Sequence, residues 1–256
     1  MVIYMIIDTH CHLEKQYYEN IDAIIQKMQG NIIITSGVDY DTNLEVIKLC
    51  EKYDNVYGTL GYHPEEIESF SSNSIAFLEK FILHPKIVGI GEIGLDYHYT
   101  KENKENQKKV FIEQLRLAKK YHKTVVVHSR DAIQDTYEIL KRELGDNSCI
   151  LHCYSSSLEM AKKFMKLGIK FGIGGVITFK NNKVLKEVVE ELPLASFVLE
   201  TDSPYLTPEP YRGSQNEPCN VYLVAKKLAE LKNIPVEEVI ITTTYTAISQ
   251  FDLPIK

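Results

Sequence analysis

The chain has 256 residues, 44 % of them hydrophobic and 25 % charged, with a net charge of −6. That composition excludes a disordered chain, and no apolar run reaches the ~18 residues of a membrane span. The acidic balance argues against tight, non-specific nucleic-acid binding by bulk charge, yet leaves room for a phosphate substrate wherever bound cations invert the local sign.

The first apolar run, 2–8, leads into His10-Cys11-His12. Residues two apart on a strand point to one face, so two imidazoles emerge together where a buried strand ends. Further strands are expected at 31–36, 55–60, 86–91, 123–128, 148–152, 169–173 and 196–201. Helical patterns alternate with them at 41–53, 104–121, 131–144, 157–167 and 181–191, and two more follow at 217–231 and 235–249. Phe111, Leu115 and Ala118 mark the buried face of the second helix. Eight apolar strands with intervening helices predict an α/β fold, a single-domain (β/α)8 TIM barrel over residues 1–256, close to the ~250 residues usual for it. An open doubly wound sheet would need a topological switch point, of which there is no sign. Five cysteines, odd in number and irregular in spacing, read as reduced thiols. No basic N-terminal segment suggests a signal peptide, so a cytoplasmic location is expected.

The strand ends carry the chemistry. In chain order they offer His10 and His12, His63, Glu92, His128, His152 and Asp202. In a (β/α)8 barrel these ends form one mouth. A mixed imidazole and carboxylate set there suits two divalent ions such as Zn or Mn. A lone histidine at a strand end is more often a hydrogen-bonded rim residue, but His10, His12, Glu92, His128, His152 and Asp202 together at equivalent positions are not explained that way. Asp202 at the mouth is the candidate to orient a water and accept its proton. Glu200 lies deeper, as a partner to a neighbouring polar group, and Asp8 is expected to orient an imidazole. Arg130 and Arg212 are candidate phosphate contacts, and Asn216 with Pro218 reads as a helix cap and first turn. His84 and His122 read as structural; His98 has no assignment. Gly89 to Gly94 match G-x-G-x-x-G, but no helix begins at those glycines, so a dinucleotide site is rejected.

The ordered segments Ile7-Asp8-Thr9-His10-Cys11-His12-Leu13, Gly61-Tyr62-His63-Pro64, Gly91-Glu92-Ile93-Gly94-Leu95-Asp96-Tyr97, His128-Ser129-Arg130-Asp131-Ala132, His152-Cys153-Tyr154-Ser155, Glu200-Thr201-Asp202-Ser203-Pro204-Tyr205-Leu206 and Arg212-Gly213 through Asn216-Glu217-Pro218 span nearly the whole chain. Together they resemble the TatD family of metal-dependent deoxyribonucleases. The resemblance implies two or three divalent ions (Zn, Mg or Mn) held by His10, His12, Glu92, His128, His152 and Asp202, with Glu92 bridging. It places His63 at the substrate phosphate or a further metal, making Asp202, Glu92 and His63 the catalytic set and His63, Arg130 and Arg212 the substrate contacts. The implied activity is hydrolysis of DNA phosphodiesters, trimming from the 3′ end. The rival readings are a hydrolase of the same scaffold acting on an ester, amide or lactone, and a metal-binding scaffold that binds DNA without cutting it. Two departures stand out: Tyr154-Ser155-Ser156 where the family has an aromatic before Ser-Gly, and Thr246-Ala247 where it has Asn-Ala.

Overall fold

A computed structural model describes residues 4–98 and 102–255. Eight strands, β1 (Ile7–Cys11), β2 (Ile32–Ser36), β3 (Val56–Leu60), β4 (Ile87–Asp96), β5 (Thr124–Arg130), β6 (Cys149–Leu151), β7 (Lys170–Ile173) and β8 (Phe197–Leu199), form one sheet in sequential order. All seven neighbouring pairs are parallel. Between them run α1 (Ile21–Gln26), α2 (Tyr40–Lys52), α3 (Ser72–Phe81), α4 (Lys104–Tyr121), α5 (Ile133–Glu143), α6 (Leu158–Met165) and α7 (Lys183–Glu191), followed by α8 (Val221–Lys232) and α9 (Val236–Phe251). This is the expected TIM barrel. The start of the run 2–8 lies outside the described residues, and the strand itself begins at Ile7.

The helices start where local chemistry permits. Asp39 and Thr42 form a reciprocal capping box on α2, and Ser71 and Ser74 do the same on α3. The larger apolar cluster packs helices on the outside of the sheet, with Phe111, Phe164 and Phe171 fully buried. A second cluster collects Ile7, Ile34, Tyr57, Val88, Val126, Ile150 and Val198 from seven strands, together with Ala247 and Phe251 of α9. These residues alternate along the strands with those of the first cluster, which lie under the helices, so they point into the barrel interior, and α9 plugs its N-terminal end. Thr244 of α9 donates to the Met5 carbonyl at 3.0 Å, fixing that plug.

The barrel closes beyond the end of β8. Asp202 donates its amide to the His10 carbonyl (2.9 Å), and His12 donates to that of Ser203 (2.7 Å). Asp8, fully buried, accepts from the Thr201 amide (2.9 Å) and hydroxyl (2.6 Å). Asp8 therefore joins the first strand to the last, and the expectation that it orients an imidazole is corrected. A register irregularity between Asp8 and Cys11 breaks the simple alternation on which that expectation rested.

Two other expectations change. β4 continues to Asp96 instead of stopping at 91, with an irregularity between Ile90 and Ile93. Asn216 is not a cap: Glu217 precedes a short 3-10 turn, Pro218–Asn220, that leads into α8. The Asn216 side chain instead donates to the carbonyls of Thr201 (2.9 Å) and Tyr205 (2.7 Å), tying the loop to the strand end. At position 156 the backbone is not left-handed, so serine sits there without the freedom of glycine. Thr246 spends its hydroxyl on the Thr242 carbonyl within α9.

Candidate metal centre

The structure brings His10, His12, His63, Glu92, His128, His152 and Asp202 to one point at the C-terminal mouth. Three overlapping triads have all their donor atoms within 4.8 Å of one another: His10, His12 and Asp202; His10, Glu92 and His152; and His63, Glu92 and His128. Glu92 is common to two of them. Its Oε1 lies 2.8 Å from His152 Nε2, 2.9 Å from His128 Nδ1 and 3.5 Å from His63 Nε2. Its Oε2 lies 3.3 Å from His10 Nε2 and 3.5 Å from His12 Nε2. Asp202 Oδ1 faces the same two nitrogens at 3.7 and 3.6 Å.

Backbone and hydroxyl partners settle which nitrogens point inward. His12 Nδ1 meets the Ser36 carbonyl at 3.2 Å, which only accepts, so Nδ1 carries a proton and Nε2 is the nitrogen presented to the centre. His10 Nδ1 contacts Ser36 Oγ at 3.1 Å. His128 Nε2 gives its proton to Asp96 Oδ2 at 3.0 Å, which leaves Nδ1 facing inward. His63 is the reverse. Its Nδ1 accepts from the Glu65 amide at 3.2 Å, so in the neutral ring Nε2 carries the proton and is a donor.

The electrostatics follow. Burial alone would raise the Glu92 carboxyl, but His152 and His63, with hydrogen bonds from His10 and His128, hold it well below the usual carboxylate range. Burial would likewise raise Asp202, and the His12 hydrogen bond with the charges of His152 and His10 overrides it downward. Burial pushes His63 down to about 3, keeping that ring neutral. At His152 the same burial is outweighed by Glu92 and Glu200, which raise it well above the ordinary imidazole value. The inward nitrogens of His10, His12 and His128 thus face ionised carboxylate oxygens, an arrangement that requires shared positive charge between them. A proton supplies it in the metal-free protein, and divalent ions fit the same donor set.

Asp96 and Ser36, which the sequence reading passed over, and Glu200, which it placed deeper beside a polar group, complete the support. Asp96 anchors His128 and itself accepts from the His98 amide at 2.8 Å. Ser36, at the end of β2, serves both His10 and His12. Its signal was available, a polar residue closing an apolar run. Glu200 stands beneath His152, its Oε1 3.7 Å from Nδ1 and accepting from the Cys153 amide at 2.5 Å. Among the described residues, His152 Nδ1 and Glu200 Oε2 are buried without a hydrogen-bond partner. Glu200 fits only because β7 carries Gly172: a Cβ there would lie 2.0 Å from Oε2.

The remaining candidates scatter. Arg130 is exposed at the end of β5, in register with Asp96, and its charge acts on Asp96 and Glu65. Arg212 is exposed, its guanidinium 4.1 Å from the centre of the Phe179 ring. His98 pairs with Asp131 at 3.1 Å. His84 Nδ1 accepts from the Lys86 amide, and His122 closes α4 in a left-handed conformation.

A parallel eight-stranded barrel with this donor set at its C-terminal mouth defines a metal-dependent hydrolase. The model for TatD related DNase matches residues 7–252, and the chain belongs to the TatD family. The metal-dependent hydrolase YabD of Bacillus subtilis is 39 % identical over 248 residues, covering 95 % of this chain and 97 % of that protein. The crystal structure of YjjV, a TatD homologue of Escherichia coli, superposes with a TM-score of 0.90 at 33 % identity, covering 97 % of this chain and 98 % of that one. A dihydroorotase aligns at a TM-score of 0.69 and 14 % identity over 98 % of this chain and 83 % of its own, a likeness of fold alone. Among the described residues no helix is long and apolar enough to cross a membrane.

Proposed function

We propose that the protein hydrolyses DNA phosphodiester bonds, as a 3′–5′ exonuclease with the barrel acting as one catalytic domain. The observation that carries the reading is the convergence of five imidazoles and the Asp202 carboxylate around Glu92 at the barrel mouth. The TatD related DNase match supports DNA as the substrate class.

His10, His12, Glu92, His128, His152 and Asp202 would hold two or three divalent ions, with Glu92 shared between them. Such ions supply Lewis-acid polarisation of a phosphoryl oxygen and acidify water. Asp202, ionised and the most open of the carboxylates in the cluster, orients the attacking water and takes its proton. His63, neutral and protonated on Nε2, donates to a phosphate oxygen, a role its tautomer suits better than metal ligation. Arg130 at the rim offers its charge to a neighbouring phosphate; Arg212, over the Phe179 ring, is the second proposed phosphate contact. The five free cysteines accord with a reducing, cytoplasmic setting.

The test uses a 5′-labelled single-stranded oligonucleotide with Mg²⁺, Mn²⁺ or Zn²⁺, alongside chelator, Asp202→Asn and Glu92→Ala controls. A metal-dependent ladder shortening from the 3′ end, absent from all three controls, is the expected result. Intact DNA with protein shown to carry metal would reject the nuclease and direct a screen to esters, amides and lactones. Full activity of a metal-free Glu92→Ala protein would reject the metal centre itself.

A further inference from the structure

We infer that Tyr205, backed by Tyr17, is a stacking platform for a nucleobase of the substrate strand, a site that rests on the nuclease reading. Tyr205 lies three residues past Asp202 and stays 48 % exposed, in a segment whose backbone is fixed on both sides. Its amide donates to the Asp202 carbonyl at 2.9 Å. Its own carbonyl accepts from Asn216 Nδ2 at 2.7 Å. The ring is held as well: its hydroxyl lies 2.5 Å from that of Tyr17, with ring centres 5.6 Å apart and planes at 72°. Tyr17 is in turn tied down by Gln215, which donates from Nε2 to its carbonyl at 2.5 Å.

A single exposed aromatic needs no explanation. This one differs in where it is fixed. Its ring centre is 6.2 Å from that of His12, whose Nε2 faces the donor cluster. A phosphate seated at the cluster therefore has its own nucleotide's base within reach of the Tyr205 ring. The two rings need not be ordered when substrate arrives, so little conformational freedom is lost on stacking. The ring contributes no hydrogen-bond code, so it holds any base with comparable strength. That suits an acidic protein, which lacks the bulk positive charge to grip a strand through phosphates alone.

The experiment compares two labelled oligonucleotides that differ only at the 3′-terminal nucleotides, one with bases and one with tetrahydrofuran abasic residues. Stacking of this kind makes the wild-type kcat/KM about ten- to a hundredfold higher on the base-bearing strand. Tyr205→Leu brings that ratio close to one, while Tyr205→Phe keeps it. The ratio is internal to each protein, so partial misfolding of a variant does not alter it. The same ratio, read as Kd by fluorescence anisotropy in an Asp202→Asn background, is independent of turnover. A wild type that cuts both strands equally, or a Tyr205→Leu protein that keeps the wild-type ratio, overturns the stacking site while the nuclease reading stands. Metal-loaded wild type that cuts neither strand overturns the nuclease reading and the stacking site with it.

Discussion

Replacing Asp8 with alanine tests whether the barrel is held shut by the carboxylate that joins its first and last strands. Asp8 is fully buried and accepts from both the amide and the hydroxyl of Thr201, with a longer contact from the His10 amide at 3.4 Å. Removing it strands two buried donors, each costing about 1–3 kcal/mol. The total is about 3 kcal/mol or more, which in a chain of this length lowers Tm by roughly 6–12 °C. Thermal unfolding of the metal-free protein followed by circular dichroism measures it. Asp8→Asn keeps one acceptor for the Thr201 amide and should lose less. The pH dependence separates the two variants. Burial raises the Asp8 carboxyl well above its ordinary value, against the opposing Thr201 and His10 hydrogen bonds. The folded state therefore binds the proton more tightly than the unfolded chain, where aspartate titrates near ~3.9. Stability drawn from the protonated form is full below that value and is lost as pH rises toward the folded one. The deficit of Asp8→Asn relative to wild type should shrink over that interval. An Asp8→Ala protein within about 0.5 kcal/mol of wild type, or parallel pH profiles for wild type and Asp8→Asn, would refute the reasoning.

Three further outcomes are expected. Asp96→Ala removes the acceptor for His128 Nε2 and should weaken metal binding about 10- to 100-fold, measured by competition with a chromogenic chelator; unchanged affinity would mean that His128 is oriented by other groups. Gly172→Ala drives a methyl into the Glu200 carboxylate and should cost about 1–3 kcal/mol in urea unfolding, with most of that loss absent when Glu200→Ala is combined with it. Purely additive losses would show that the two side chains do not collide. Saturating metal at a hundred times Kd should raise unfolding free energy by about 2.7 kcal/mol, reversed by chelator and absent in Glu92→Gln; an equal gain in that variant would place the metal elsewhere.

The alternation of apolar strands and amphipathic helices carried the fold because a parallel barrel buries both faces of every strand. The ligand candidates were legible for a related reason: a histidine or carboxylate that closes an apolar run has nowhere to point but the mouth. What was missed depends on backbone detail. Counting alternation from Asp8 to His10 fails at an irregularity in β1, and halting β4 at Gly91 hid Asp96, which the strand carries beyond a second irregularity. Asp202 has a left-handed backbone, φ 54°, so strand parity ends before it. Asn216 looked like a cap because asparagine before Glu-Pro has that local signature. Its actual partners, the Thr201 and Tyr205 carbonyls, lie 15 and 11 residues away. Local patterns report the neighbours a side chain has in sequence, and these contacts are made in space.

The seam between the first and last strands also sets when the site comes into existence. Thr201, Asp202 and the Asn216 that braces them leave the ribosome roughly two hundred residues after His10. Until then the nascent chain has no partner for Asp8 and no sixth donor at the mouth. If the chain cuts DNA, it cannot do so with the full donor set until Asp202 has emerged, and neither can any product truncated before that residue.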